Sequence, residues 1–265
     1  MEHALRTKLV LYPEWVVSPT VQVMNSTRQY RPGRLLLDND AVIPSGPKTD
    51  MRVCQLDHIS VTAPSLDVGV AWVEAALGVP LQAGGEHPRM GTHNALLRLG
   101  DSLYLEVIAV DPAAPAPGRP RWFGLDRMAS DASPRLAAWV ARTDDIRTAA
   151  AGAEFLGQIE PMSRAELKWL ITIRPDGSLP AQGLAPTLIE WQTEQHPAAL
   201  LEDRGCALVR LDGFHPDSGR ILRTLESLDL EEAVILHPLP PGERPYLVAQ
   251  IKTPSGLRTL GGPHR

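Results

Sequence analysis

His58 and Glu106 are the residues whose types and settings point most directly to chemistry. His58 lies in Leu56-Asp57-His58-Ile59-Ser60-Val61, and Glu106 in Leu103-Tyr104-Leu105-Glu106-Val107-Ile108-Ala109-Val110. Both runs read as buried strands, where a polar side chain is costly unless it has a partner. An imidazole and a carboxylate are the groups that hold a divalent ion. They are also the groups that remove a proton next to a carbonyl. Glu190, in Leu188-Ile189-Glu190-Trp191, is a second carboxylate embedded in a strand. The sequence predicts one cavity shared by all three.

The elements that must position them recur along the chain. Val53 to Thr62 reads as a strand. Ser65 is an N-cap for a helix with Leu66, Val70, Val73 and Leu77 on one face and Gly78 past its end. Short strands follow: one before a Gly84-Gly85 turn, one over Asn94 to Leu99, and one over Leu103 to Val110, the last two linked by Gly100-Asp101-Ser102. After a Pro-rich linker, Pro112 to Pro120, the order repeats. Leu136 to Arg142 is a strand, Asp145 to Phe155 an Ala-rich helix, and Gln158 to Ser163, Leu167 to Arg174 and Pro186 to Gln192 are strands, with a turn at Pro175-Asp176-Gly177. A fainter third copy runs through strand Cys206 to Leu211, helix Ser218 to Leu228, and strands Ala233 to Leu239, Tyr246 to Lys252 and Leu257 to Leu260. Repeated units stack because one copy cannot bury its own apolar face.

Side chains alternate across a strand. His58 therefore shares a face with Leu56 and Ser60, Glu106 with Tyr104 and Ile108, and Glu190 with Leu188. Glu106 and Glu190 fall at matching places in the first two units, so packing about a pseudo-twofold axis brings both carboxylates together.

The expected fold is α+β, built from paired βαβββ modules with a third, degenerate module at the C-terminus. The expected boundaries are residues 1–50, a poorly ordered N-terminal extension (Met51 being an alternative start), 51–192 for the two modules and 205–262 for the third. The chain has 265 residues, 43% of them hydrophobic, with a net charge of −5, enough for a sizeable core. No basic block points to nucleic acid, and no apolar run approaches the ~20 residues of a membrane helix. Cys54 and Cys206 form no CxxC, and two thiols without a signal peptide fit a reducing cytoplasm. No nucleophile elbow, phosphate-binding glycine loop or zincin helix is present.

The strand around His58, the stretch Gly84-Gly85-Glu86-His87-Pro88-Arg89-Met90-Gly91-Thr92-His93-Asn94 and the run from Tyr104 to Pro112 resemble the glyoxalase-like domain family of the vicinal oxygen chelate superfamily. The resemblance covers Met51 to Trp191 and implies paired modules curled around a cavity. It implies a divalent metal, Zn, Ni, Mn or Fe, with His58, Glu106 and Glu190 as three ligands. The fourth place falls on Ala138 or Trp139, neither a ligand, so the metal site is incomplete. Glu106 and Glu190 are the candidate bases when they are not ligands.

Around that core, His87 and Asn94 are expected to rim the pocket, where glycines let backbone approach a ligand. Arg164 is placed to grip a carboxylate or phosphate. Trp169 is expected at the ligand, with Trp122 and Trp191 as core residues that can also line the pocket. Trp139 at the vacant ligand position would stack rather than coordinate. His215 and His237 are expected at the surface. Two functions follow: a small-molecule isomerase, lyase or dioxygenase-type enzyme, or a non-catalytic binder that sequesters a drug or metabolite. A third, structural reading uses the third module as an interface, and a homodimer is the expected assembly.

Overall fold

The structure, a computed structural model, describes residues 54–230 and 232–263; the expected extension over residues 1–50 lies outside them. The first unit comprises β1 (Gln55–Thr62), α1 (Leu66–Leu77), β2 (Gln82–His87), β3 (Thr92–Gly100) and β4 (Leu103–Val110). Ser65 caps α1 by accepting the Val68 N–H, and Gly78 ends it in the left-handed conformation. The second unit comprises β5 (Arg135–Arg142), α2 (Ile146–Ala149), β6 (Gln158–Arg164), β7 (Leu167–Ile173) and β8 (Thr187–Trp191). Here the expected helix over Asp145 to Phe155 shrinks to one turn plus a 3-10 turn at Glu154–Leu156. Gly152, in the left-handed region, breaks the run between them.

Both units share one eight-stranded sheet in the order β2-β3-β4-β1-β5-β8-β7-β6. The halves repeat each other. In each, the first strand pairs in parallel with the last, β1 with β4 and β5 with β8, and β1 joins β5 antiparallel at the centre. The sheet curls until its edge strands β2 and β6 face each other across the cup. Side chains stitch the edges rather than a ladder: Arg89 donates to the Pro161 carbonyl and to Glu160, both at 2.6 Å, and Arg119 grips both oxygens of Glu160. Charged ties of this kind blunt exposed sheet edges.

Behind the cup lies a second sheet. It comprises β9 (Ala207–His215), α3 (Ser218–Glu226), β10 (Ile235–Pro238), β11 (Tyr246–Thr253) and β12 (Gly256–Gly261), with strand order β10-β9-β11-β12. The element order is that of the first two units. The pairing is not: β10 lies directly beside β9, in parallel. One core unites this sheet with the back of the large one. Val73 and Leu77 of α1 join Ile59, Leu105, Trp139 and Leu188 from the large sheet and Leu211, Leu247, Ile251 and Ile221 from the third unit. Each such buried side chain contributes roughly 1.5–3 kcal/mol. The third unit thus braces the strands that carry the site, from the side opposite the cup.

Candidate functional site

The inner face of the cup is a hollow lined by His58, His87, Asn94, Tyr104, Glu106, Trp122, Phe123, Arg164, Trp169, Ile171, Ile189 and Trp191. Of the residues singled out from the sequence, His58, Glu106, His87, Asn94, Arg164 and Trp169 come together here. As it stands the hollow holds about 30 Å³, room for a water molecule or two. A wider, open groove of about 860 Å³ runs past Arg127, Arg135 and Arg244, and its lining includes no acid or histidine among the described residues.

The cup's polar pole is built on β1 and β4. The Nδ1 of His58 lies 2.6 Å from Asp57 Oδ1. Neighbours on a strand normally face opposite ways. Here the pairing of β1 with β5 slips between Leu56 and His58, leaving Asp57 as the extra residue of a bulge, a device that re-aims side chains. Asp57 is fully buried. It also accepts from Trp191 Nε1 at 2.9 Å and pairs with His196 Nε2 at 2.8 Å. Burial alone would raise its pKa, but the hydrogen bonds from His196 and His58 outweigh it and hold Asp57 well below the usual carboxylate range.

An ionised carboxylate only accepts hydrogen bonds, so the proton on His58 sits on Nδ1. The same logic fixes His196: its Nδ1 accepts from the Ala198 N–H, so its Nε2 carries the proton given to Asp57. His58 therefore turns Nε2 toward the cup, 3.8 Å from Glu106 Oε2. Tyr104 stacks on its ring, with centroids 4.5 Å apart.

Glu106 is held as an acceptor. Asn94 Nδ2 donates to Oε1 at 2.6 Å and Ser60 Oγ to Oε2 at 3.2 Å. Asn94 Oδ1 in turn accepts from the Gly85 N–H at 2.8 Å and from Arg164 Nη1 at 2.9 Å. The two glycines explain how Asn94 and Arg164 fit. A Cβ on Gly84 would lie 2.0 Å from Asn94 Oδ1, and one on Gly85 would lie 2.9 Å from Arg164 Cδ. The expected Gly84-Gly85 turn is thus a bulged stretch inside β2, where pairing slips between Ala83 and Glu86. His87, beside Trp122 and Trp169, pairs through Nδ1 with Thr92 Oγ1 at 3.1 Å. Desolvation pushes its pKa down to about 4, so the ring is neutral at neutral pH.

Two expected site residues face elsewhere. Glu190 accepts the Ile146 N–H at the start of α2, at 2.9 Å, and does not line the hollow. In β8 it is Ile189 and Trp191 that face the cup, so the match with Glu106 is one residue out of phase, and one residue reverses the face. Trp139 is fully buried in the core behind the sheet, donating to the Leu184 carbonyl at 3.1 Å. It stands opposite Ile59, whereas Ala138 stands opposite Ser60.

These placements decide the fit of the expected metal. The first unit offers His58 and Glu106. On the second unit's side the apolar cluster flooring the cup contains Ala138, Val140 and Ile189. Among the described residues no three His, Cys, Asp or Glu side chains converge on a point that could hold an ion. Catalytic zinc sites use three protein ligands, so this donor set does not fit the ion that the resemblance implies.

Sequence reasoning gave no role to Asp57 or His196, and took Trp122 and Trp191 as core residues able to line the pocket, where both lie. Asp57 carried a signal, a carboxylate beside a candidate base. His196 carried none, since it meets the site only through the path of the chain after β8.

No curated protein matches the chain in sequence. Among solved structures, the chain is similar to a hypothetical protein from Staphylococcus aureus, at 13% identity and a TM-score of 0.48 over 79% of this chain and 86% of that one. It is also similar to a variant of Streptomyces coelicolor methylmalonyl-CoA epimerase in complex with 2-nitronate-propionyl-CoA, at 16% identity and a TM-score of 0.39 over 55% of this chain and 99% of that one. A mutant of 4-hydroxymandelate synthase from Streptomyces coelicolor is similar at 17% identity and a TM-score of 0.40 over 79% of this chain and 63% of that one. The model of the glyoxalase-like domain matches residues 56–228, a span that contains both halves of the cup and every residue of its polar pole. By that match and by its paired modules, the chain belongs to the glyoxalase-like domain family.

Proposed function

We propose that the cup is the active site of an acid–base enzyme acting on a small molecule, with Glu106 and His58 moving a proton to and from a carbon next to a carbonyl. The observation that carries this is the 3.8 Å gap between His58 Nε2 and Glu106 Oε2, two proton-carrying groups aimed at one spot in a buried hollow walled by aromatic rings. Glu106, fixed by Asn94 and Ser60, is the base that takes the proton from carbon. The electron pair left behind moves onto the carbonyl oxygen. His58, held at Nδ1 by Asp57, receives and returns protons through Nε2. Positioned proton transfer of this kind contributes typically 10²–10⁴-fold. The product is an isomer of the substrate, or an elimination product where a leaving group lies beside the carbanion. The pocket-bearing unit is residues 51–192, with 205–262 as its brace. Two buried free thiols, Cys54 and Cys206, suit the reducing cytoplasm to which we assign the protein.

The test is solvent-deuterium exchange into a panel of small enolisable ketones, followed by NMR. The proposal expects exchange above the buffer rate that falls at least about 10²-fold in Glu106→Gln. A panel that exchanges no faster with protein than without it would overturn the proposal. It would favour the second reading, a non-catalytic binder, for which the observation is the ring-lined wall of Trp122, Trp169 and Trp191.

A further inference from the structure

Arg164 is an unusual lining residue. It enters from the far edge of the sheet, at the end of β6, and reaches across to the first unit. Its guanidinium carries five N–H donors. One hydrogen bond ties it, to the neutral Asn94 amide, and among the described residues no carboxylate pairs with it. A guanidinium beside a buried pocket with no carboxylate paired to it is an incomplete pair. Of the lining residues, all are buried except Arg164 and Trp191. These two are the lining residues that reach the surface. Trp191 is pinned by its N–H to Asp57. Arg164 is held by a single neutral amide, on a strand that turns at once through Ala165 with φ of 49°.

The hollow of about 30 Å³ is too small for a molecule with a carbon skeleton, so a wall group must move. Arg164 is the one that can. Gly85 leaves a lane for its stem, since even one methyl there would press on Cδ at 2.9 Å.

From this we infer that Arg164 is both gate and clamp, and that the pocket takes small monocarboxylates with a flat, apolar body. This rests on the acid–base reading of the same cup and names its substrate class. The incoming carboxylate takes the guanidinium from Asn94, and the body lies against Trp169, Trp122 and Trp191. The carbon to be deprotonated then falls toward Glu106 and His58. A single negative charge suits the site. Arg164 carries the one guanidinium of the lining and no carboxylate among the described residues pairs with it, so it meets one incoming carboxylate. A dianionic phosphate would leave an extra charge uncompensated next to Glu106, which is costly in a buried place.

The experiment uses the full chain and two probes, phenylacetate and its neutral isostere phenylacetamide, read by quenching of tryptophan fluorescence. Phenylacetate is expected to bind at least about 10-fold more tightly than the amide. Arg164→Met should remove that preference, and Arg164→Lys should keep part of it. Equal binding of acid and amide by the unaltered protein would overturn the inference. So would an undiminished preference in Arg164→Met. Two outcomes keep the claims separate: acid preference without any catalysed exchange sinks the acid–base reading alone, and catalysed exchange with equal binding of acid and amide sinks the clamp alone.

Discussion

Asp57 and His58 are consecutive on one strand, yet their side chains meet at 2.6 Å because the strand bulges between Leu56 and His58. The consequence is a chosen tautomer. The proton sits on Nδ1, and Nε2 is presented to Glu106.

Asp57→Asn tests that consequence. An amide can offer His58 an N–H instead of a negatively charged acceptor, so the ring is no longer held with Nδ1 protonated. We expect exchange to fall about 10²-fold or more, with ligand affinity kept within a few-fold. Asp57→Ala is a different case. It strands the N–H groups of His58, His196 and Trp191, at roughly 1–3 kcal/mol for each buried donor left unpaired, and should lower the melting temperature sharply.

His87 sets a slope in stability against pH. Burial depresses it to about 4 in the folded chain, against ~6.5 when unfolded. Above pH ~6.5 the ring is neutral in both states and contributes nothing. Between about 6.5 and 4 the unfolded chain binds a proton that the folded chain refuses, so stability falls as the pH falls, by up to about 3 kcal/mol. Denaturant titrations across this window should show the slope in the native sequence and a shallower one in His87→Gln. Asp57, held below its ordinary value, adds a further loss only as the pH drops below about 4.

Glu190 should be catalytically silent. Its carboxylate caps α2 through the Ile146 N–H, so Glu190→Ala is expected to cost about 1 kcal/mol in chemical denaturation. Exchange should stay at the native rate. A loss of exchange at unchanged stability would return Glu190 to the site.

Chelation tests the donor set. With Ala138, Val140 and Ile189 flooring the second unit's side of the cup, exchange should survive dialysis against a strong chelator. A loss that Zn, Ni, Mn or Fe restores would mean that the cup recruits a ligand from beyond the described residues.

The fold was legible where local signals were strong. Ser65 and Gly78 bracket α1 as their types predict, and the β4 run from Leu103 to Val110 is a strand from end to end. The second helix was overread because alanine favours helix locally, while Gly152 and the chain path to β6 stop it after one turn. In the site, His58, Glu106, His87, Asn94, Arg164 and Trp169 were legible as polar or aromatic residues in apolar surroundings or beside glycines. The failures are failures of phase. Glu190 and Trp139 were placed by likeness of position, but the face of a strand changes with every residue, and bulges shift it. His196 was out of reach altogether, because its contact with Asp57 spans 139 positions.

The central claim is that Glu106 and His58 act as one proton-transferring unit. The direct test is the exchange rate of the His58→Gln and Glu106→Gln variants against that of the protein carrying both changes. Groups that work as a unit are not additive. The account predicts that each single change removes most of the activity and that the double variant is no slower than the worse single one. Losses that multiply, or a single variant that exchanges as fast as the native protein, would contradict it.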